Sequence, residues 1–235
     1  MQRIIEQTQD GSATLYVPQL DEHYHSVKGA RTESQHIFIE MGLHASPVPH
    51  PQVLEVGLGT GLNALLTLED ADRCQRPVSY TALELYPLSW DEVHPLGYSD
   101  NPLFEQLHLA PWQQPVQLTP YFSLRKLQGD AYSLLSEASE PDASSPENSS
   151  FLISNSSLFD VVYFDAFAPE KQPEMWTPEL FQAIYRHMAP GGILTTYCAK
   201  GVVRRLLQAT GFHVERLPGP PGGKREILRA TKVSD

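Results

Sequence analysis

Cysteine is scarce in this sequence, and so is positive charge. Cys74 and Cys198 are the only two cysteines in 235 residues, with no CxxC and no histidine at ligand spacing, which argues against a zinc site and against a disulfide framework. A reducing cytoplasm is the expected setting. No apolar run approaches the roughly 18 residues that a membrane helix needs, and the opening MQRIIEQTQDGS lacks a basic segment followed by an apolar one. Membrane and secretory classes are therefore set aside. The nine histidines show no metal spacing, so no metal is expected. With 41% hydrophobic residues, the chain is long enough to bury the core of one globular domain with a small appendage.

Acidic residues outnumber basic ones 28 to 17, for a net charge of −11, which at first argues against nucleic acid, where affinity comes mainly from neutralising phosphates. The charge is unevenly spread. From position 200 onward Lys200, Arg204, Arg205, Arg216, Lys224, Arg225, Arg229 and Lys232 face only Glu215, Glu226 and Asp235. A basic end on an acidic body can meet a phosphate backbone or can simply be a solvated surface.

Residues 1–48 read as a small N-terminal strand and loop layer, with the apolar runs ATLYVPQL and HIFIEMGL on either side of a polar segment. Residues 49–235 read as the main domain. PQVLEVG is a strand ending in glycine, and the following TGLNALLTLEDADR carries a helical leucine stripe. VSYTALEL is a second strand, ending at Glu84, and YFSLRKLQGD a third, ending at Asp130. FDVVYFDAFAP supplies the fourth, GILTTYCA the fifth, and FHVERL and REILRATKV a closing antiparallel hairpin. Helices are expected between them, including one from about 177 to 188 and GVVRRLLQATG, closed by Gly211. The Ser-, Pro- and acid-rich stretch 136–157 has too little apolar surface to order itself and reads as a mobile insertion. The alternation predicts an α/β fold with a mostly parallel, Rossmann-like, seven-stranded sheet.

In open α/β sheets ligands bind beyond the carboxyl ends of the strands, so the strand ends carry the candidate site. Glycine turns let a backbone approach a ligand closely, and Gly57, Gly59 and Gly61 form GxGxG with Glu55 two residues ahead. A dinucleotide fingerprint would be GxGxxG, but position 62 is leucine. An acid before GxGxG resembles the S-adenosylmethionine (AdoMet) motif of class I methyltransferases, with Glu55 at the amino-acid end of the cofactor. Glu84 is placed to accept from both ribose hydroxyls, and Asp130 to accept from the adenine amine, although a helix N-cap would look the same. Asp165 ends the central strand and can hold an amine nucleophile. Asp160, earlier in that strand, reads as structural. Phe167, Trp176 and Tyr197 are core residues by default and, near the site, candidate stacking faces for a planar substrate.

The runs FDAFAPEKQPEMWTPELF, GGILTTYCAKGVVRRLLQATGF and RLPGPPGGKREILRA, together with LEVGLGTGLNALL and HYHSVKGARTESQHIFIEMGL, resemble the tRNA 5-methylaminomethyl-2-thiouridine methyltransferase family, which bacteria carry alone or fused to a flavin oxidase. The resemblance spans roughly 13 to 230, apart from the Ser-rich stretch and one extra glycine at Gly222-Gly223. It implies methyl transfer from AdoMet to the amine of 5-aminomethyl-(2-thio)uridine at the tRNA wobble position. Glu55, Gly57, Gly59, Gly61, Glu84 and Asp130 fall in its cofactor motifs, and Asp165 on its catalytic acid. No flavin domain is expected in this chain. Lys200, Arg204, Arg205, Lys224 and Arg225 are the expected tRNA contacts. Two alternatives stay open: an amine methyltransferase acting on a small molecule or protein, and a methyltransferase-fold subunit that binds without chemistry.

Overall fold

The computed structural model describes residues 2–136, 153 and 158–233. Apart from Ser136 and Ile153, the Ser-rich stretch lies outside the described residues. In chain order the strands are β1 (Ile4–Gln7), β2 (Ala13–Val17), β3 (Glu22–His23), β4 (Gln52–Val56), β5 (Val78–Glu84), β6 (Pro115–Thr119), β7 (Phe122–Gln128), β8 (Phe159–Phe164), β9 (Met188–Thr196), β10 (Phe212–Pro218) and β11 (Glu226–Lys232). The α-helices are α1 (Ala30–Ser34), α2 (Leu62–Cys74), α3 (Trp90–Val93), α4 (Pro102–Leu109), α5 (Ala131–Ser136), α6 (Pro178–Arg186) and α7 (Gly201–Thr210).

Among the described residues the main sheet has eight strands, in the order β10-β11-β9-β8-β4-β5-β7-β6. The five central strands, β9-β8-β4-β5-β7, are parallel, and β11, β10 and β6 pair antiparallel at the edges. The sheet thus has one strand more than expected, β6. It starts on Pro115 and sits at the edge, where a missing N–H breaks no ladder bond.

Side chains alternate across the pleat, so each central strand feeds two cores. Leu54, Val56, Val162 and Phe164 pack with Leu134, Phe181, Ile184 and Leu207 of α5, α6 and α7. Val53, Val161 and Tyr163 face the other way, toward Ala64 and Leu68 of α2 and Leu107 of α4. A sheet buried on both faces explains the near-continuous apolar FDVVYF of β8.

The N-terminal layer contains the antiparallel sheet β1-β2-β3. Its second half differs from expectation. HIFIEMGL is helical: α1 runs on through a π-helical segment, Gln35–Glu40, whose Ile37 and Phe38 join the α2 side of the main core. Consecutive apolar residues suit a buried helix as well as a strand, and packing decides between them. Phe38 meets Tyr163 with ring centroids 5.1 Å apart, so this layer is fastened to the sheet.

Candidate active site

From β4 the chain winds outward through β5 to β7, then crosses to the other side of β4 for β8 and β9. The switch point lies between β4 and β8, where a crevice is expected. A cavity of about 1220 Å³ opens there, lined by Gly57, Gly59, Glu84, Asp130 and Asp165, among others.

The glycine turn is built by backbone geometry that other residues resist. Gly57 has φ +95°, and a Cβ there would lie 2.9 Å from the Asp165 carbonyl oxygen. The ends of β4 and β8 can therefore touch only because this residue has no side chain. Gly59, at φ +51°, offers its N–H to Glu84 Oε2 at 2.9 Å, while Glu84 Oε1 accepts from the Tyr86 N–H at 2.9 Å. Gly61 is different: it lies outside the cavity lining, and a Cβ there would meet His108 Nε2 at 2.7 Å. Its left-handed backbone starts α2, so it is a turn and packing residue rather than a wall of the site.

Glu55 also departs from expectation. It shares a pleat face with Val53, is fully buried under α2 and does not line the cavity. Its Oε1 accepts from Asn63 Nδ2 at 2.9 Å, and burial pushes its carboxyl well above the ordinary range. The same Asn63 Nδ2 donates to Asp165 Oδ2 at 2.8 Å. Asp165 does line the cavity. Burial pushes its carboxyl up to about 7, opposed by the Asn63 hydrogen bond; Glu33 adds to the rise and Lys224 counters it.

Asp130 lines the cavity and also caps α5. Its Oδ2 accepts from the Ser133 N–H at 2.8 Å, and its carbonyl accepts from the Leu134 N–H at 2.9 Å. Asp160 is structural as expected, accepting from the Gln52 N–H at 2.8 Å.

Of the three aromatic candidates, Phe167 and Tyr197 line the cavity. Trp176 does not. It is buried against Phe164 at a centroid distance of 4.9 Å, and its Nε1 donates to the Phe167 carbonyl at 2.8 Å, so it supports the loop from behind. Lys200, Lys224 and Arg225 line the cavity, whereas Arg204 and Arg205 on α7 lie outside its lining. Lys224 is not a free surface charge: it pairs with the buried Glu33 and sits 4.4 Å over the Tyr197 ring. Lys200 pairs with Glu170.

Several lining residues come from the N-terminal layer. Tyr24 covers Gly59, 3.1 Å from where its Cβ would be, and meets Phe167 edge-on at 5.1 Å. His25 bonds Thr60 Oγ1 at 2.8 Å, and burial lowers it to about 4, so it is neutral at pH 7. The signal for these was the polar, chemistry-rich HYHSVKGARTES between two apolar runs. Asn63 had a signal too, since it occupies the first turn after the glycines, facing the same side as Glu55.

A switch-point cavity, a GxGxG turn tied to a carboxylate at the end of the next strand and a flanking antiparallel hairpin define a class I AdoMet-dependent methyltransferase. A model for S-adenosyl-L-methionine-dependent methyltransferases matches residues 142–233. The chain is 30% identical over 230 residues to the tRNA 5-methylaminomethyl-2-thiouridine biosynthesis bifunctional protein MnmC of Pseudomonas savastanoi pv. phaseolicola, covering 90% of this chain and 32% of that protein. Against MnmC of Cupriavidus metallidurans it is 30% identical over 245 residues, covering 98% of this chain and 34% of the other. The crystal structure of MNMC2 from Aquifex aeolicus superposes with a TM-score of 0.72 at 25% identity, over 99% of this chain and 72% of that one. The chain is similar to one part of the MnmC proteins, and it spans about a third of the length of the MnmC relatives it matches.

Proposed function

We propose that the protein methylates the primary amine of 5-aminomethyluridine, or its 2-thio form, at the wobble position of tRNA, giving 5-methylaminomethyl-(2-thio)uridine. The observation that carries this reading is Asp165: a carboxylate at the switch point, against the glycine turn, whose acidity is brought to about 7.

The residues present suit AdoMet. A side chain at Gly59 would fill the space under Tyr24, Glu84 is positioned to accept from the ribose hydroxyls, and Asp130 lies further along the same wall. When bound there, AdoMet supplies an electrophilic methyl group on a cationic sulfonium. An alkyl amine is protonated at pH 7 and has no lone pair to attack with, so the site must favour and orient its neutral form. Asp165 orients the nitrogen as a hydrogen-bond acceptor and takes the proton that the nitrogen gives up when its lone pair forms the new N–C bond. A group titrating near 7 is matched to that task, whereas an ordinary aspartate near 3.9 is a weak base. Tyr197 anchors the loop by donating to the Ala166 carbonyl at 2.9 Å, and the Phe167 and Tyr24 rings offer apolar faces to a planar base.

For the tRNA backbone, Arg204 and Arg205 on α7 and Arg225 at the cavity wall are the candidate phosphate contacts. This reading places the protein in the cytoplasm with its substrate. Among the described residues, no helix is long and apolar enough to cross a membrane.

The test is direct. Purified protein, AdoMet carrying a deuterated methyl group and tRNA bearing 5-aminomethyl-2-thiouridine are incubated, and the nucleosides are resolved by mass spectrometry. Labelled 5-methylaminomethyl-2-thiouridine is expected. Label on another nucleoside, or none, overturns the proposal.

A further inference from the structure

Asn63 stands in the first turn of α2 and is almost fully buried. Its Nδ2 donates both to Asp165 Oδ2 at 2.8 Å and to Glu55 Oε1 at 2.9 Å. An amide nitrogen has two hydrogens, so each carboxylate takes one and the donor capacity is used up. Rotating the amide by half a turn would set its carbonyl oxygen against the ionised Asp165 carboxylate and take away the donor it receives, so Asp165 selects this orientation, with Glu55 accepting the second hydrogen. Glu55 has no outlet to the cavity, and its carboxyl is backed by the buried Tyr80 hydroxyl of β5. It works as a buried stop behind the amide, and the amide works as a clamp on Asp165.

We propose that Asn63 is the positioning residue of this site: it fixes the direction of the Asp165 carboxylate and favours its ionised form, with Glu55 holding the amide in place. The inference rests on the reading of Asp165 given above. The other ionisable groups that bear on Asp165 are Glu33 of α1, Lys224 of the β10-β11 connection, Tyr197 after β9 and Tyr80 of β5, with Glu55 of β4 behind the amide; Glu84 and Tyr80 act on Glu55. All of them remain in the variants below, so a change can be assigned to the clamp.

A donor to a carboxylate stabilises its charged form, and removing that donor raises the pH at which the group ionises. The variants are Asn63→Ala and Asn63→Leu, the second keeping the buried volume if the first does not fold. The first measurement is the titration of Asp165 by carbon-13 NMR of aspartate-labelled protein, assigned with Asp165→Asn. The second is the pH profile of kcat for methyl transfer. The midpoint is expected to rise by about one pH unit in both measurements, which at pH 7 is about a five-fold loss of kcat from protonation; that part is recovered by pH 9, and any loss left at pH 9 reads the lost direction of the carboxylate. AdoMet affinity and KM for tRNA stay within about two-fold. Unchanged midpoints in a folded variant overturn the proposal, as does a kcat at pH 7 equal to the parent's. The NMR titration needs no substrate. A shifted titration in a protein whose parent does not methylate tRNA would therefore support the clamp and overturn only the assigned reaction.

Discussion

Glu84 accepts the N–H of Gly59 at 2.9 Å, so the carboxylate at the end of β5 holds the glycine turn at the end of β4 in shape. Its other oxygen accepts from the Tyr86 N–H. A glutamine has only one acceptor oxygen for these two donors. Glu84→Gln should therefore weaken AdoMet binding about 10- to 100-fold, the cost of one hydrogen bond to a charged group, measured by titration calorimetry. Parent-like affinity would remove Glu84 from the cofactor site.

Asp165 must be ionised to accept the amine's proton, and burial holds its carboxyl at about 7. Activity should accordingly rise as pH passes upward through about 7. Asp165→Asn keeps the Gly57 contact and AdoMet binding, loses turnover on the order of 10²-fold, and shows no such rise. The check is the rate of methyl transfer to tRNA between pH 5.5 and 9.

His108 donates from Nε2 to the Thr60 carbonyl at 3.1 Å, and burial lowers its titration to about 4. The folded state binds this proton less readily than the unfolded chain. Stability from His108 is thus full above about 6.5 and is lost as pH falls toward 4, by an amount on the order of 1–3 kcal/mol. His25 acts in the same direction over the same window. His108→Gln keeps a donor for Thr60 and should flatten the fall in unfolding free energy between pH 6.5 and 4. Parallel curves for parent and variant would show that His108 takes no part.

Lys224 was expected in the phosphate track, but its charge is spent on Glu33. Lys224→Ala leaves a buried carboxylate without its partner and should lower stability by about 1–3 kcal/mol in thermal unfolding. Arg204→Ala with Arg205→Ala should leave thermal unfolding in place and reduce the slope of log affinity for tRNA against log salt by about one per charge lost. If the slope stays at the parent's value, α7 is not on the phosphate path.

The five parallel strands, the glycine turn and the closing hairpin were legible because each has a local signature in the chain. Glu55 was misplaced for a reason that the pleat could have supplied: two residues after Val53, it shares that residue's face and points under α2, not out of the strand end. Trp176 fell into the core because Phe164 and Phe181, distant in sequence or a turn away, converge on its ring. Glu33 and Tyr24 stand in the polar HYHSVKGARTES segment, whose composition marked it, but they reach the cavity through the fold of the N-terminal layer, which that composition does not specify.

The wall of the cavity that carries Lys224 is joined to the wall that carries Glu33 by a contact between residues 191 positions apart, and His36 Nε2 reinforces it by donating to the Pro218 carbonyl at 2.9 Å. The two bonds tie α1 and its continuation to the β10-β11 connection and to the end of β10. During synthesis the first partner of each pair emerges early and must wait for the second until the closing hairpin has been made. These two ties cannot form before β10 and its connection to β11 exist: the strands and helices that precede them can assemble first, and the wall of the cavity that carries Lys224 closes against Glu33 only afterwards.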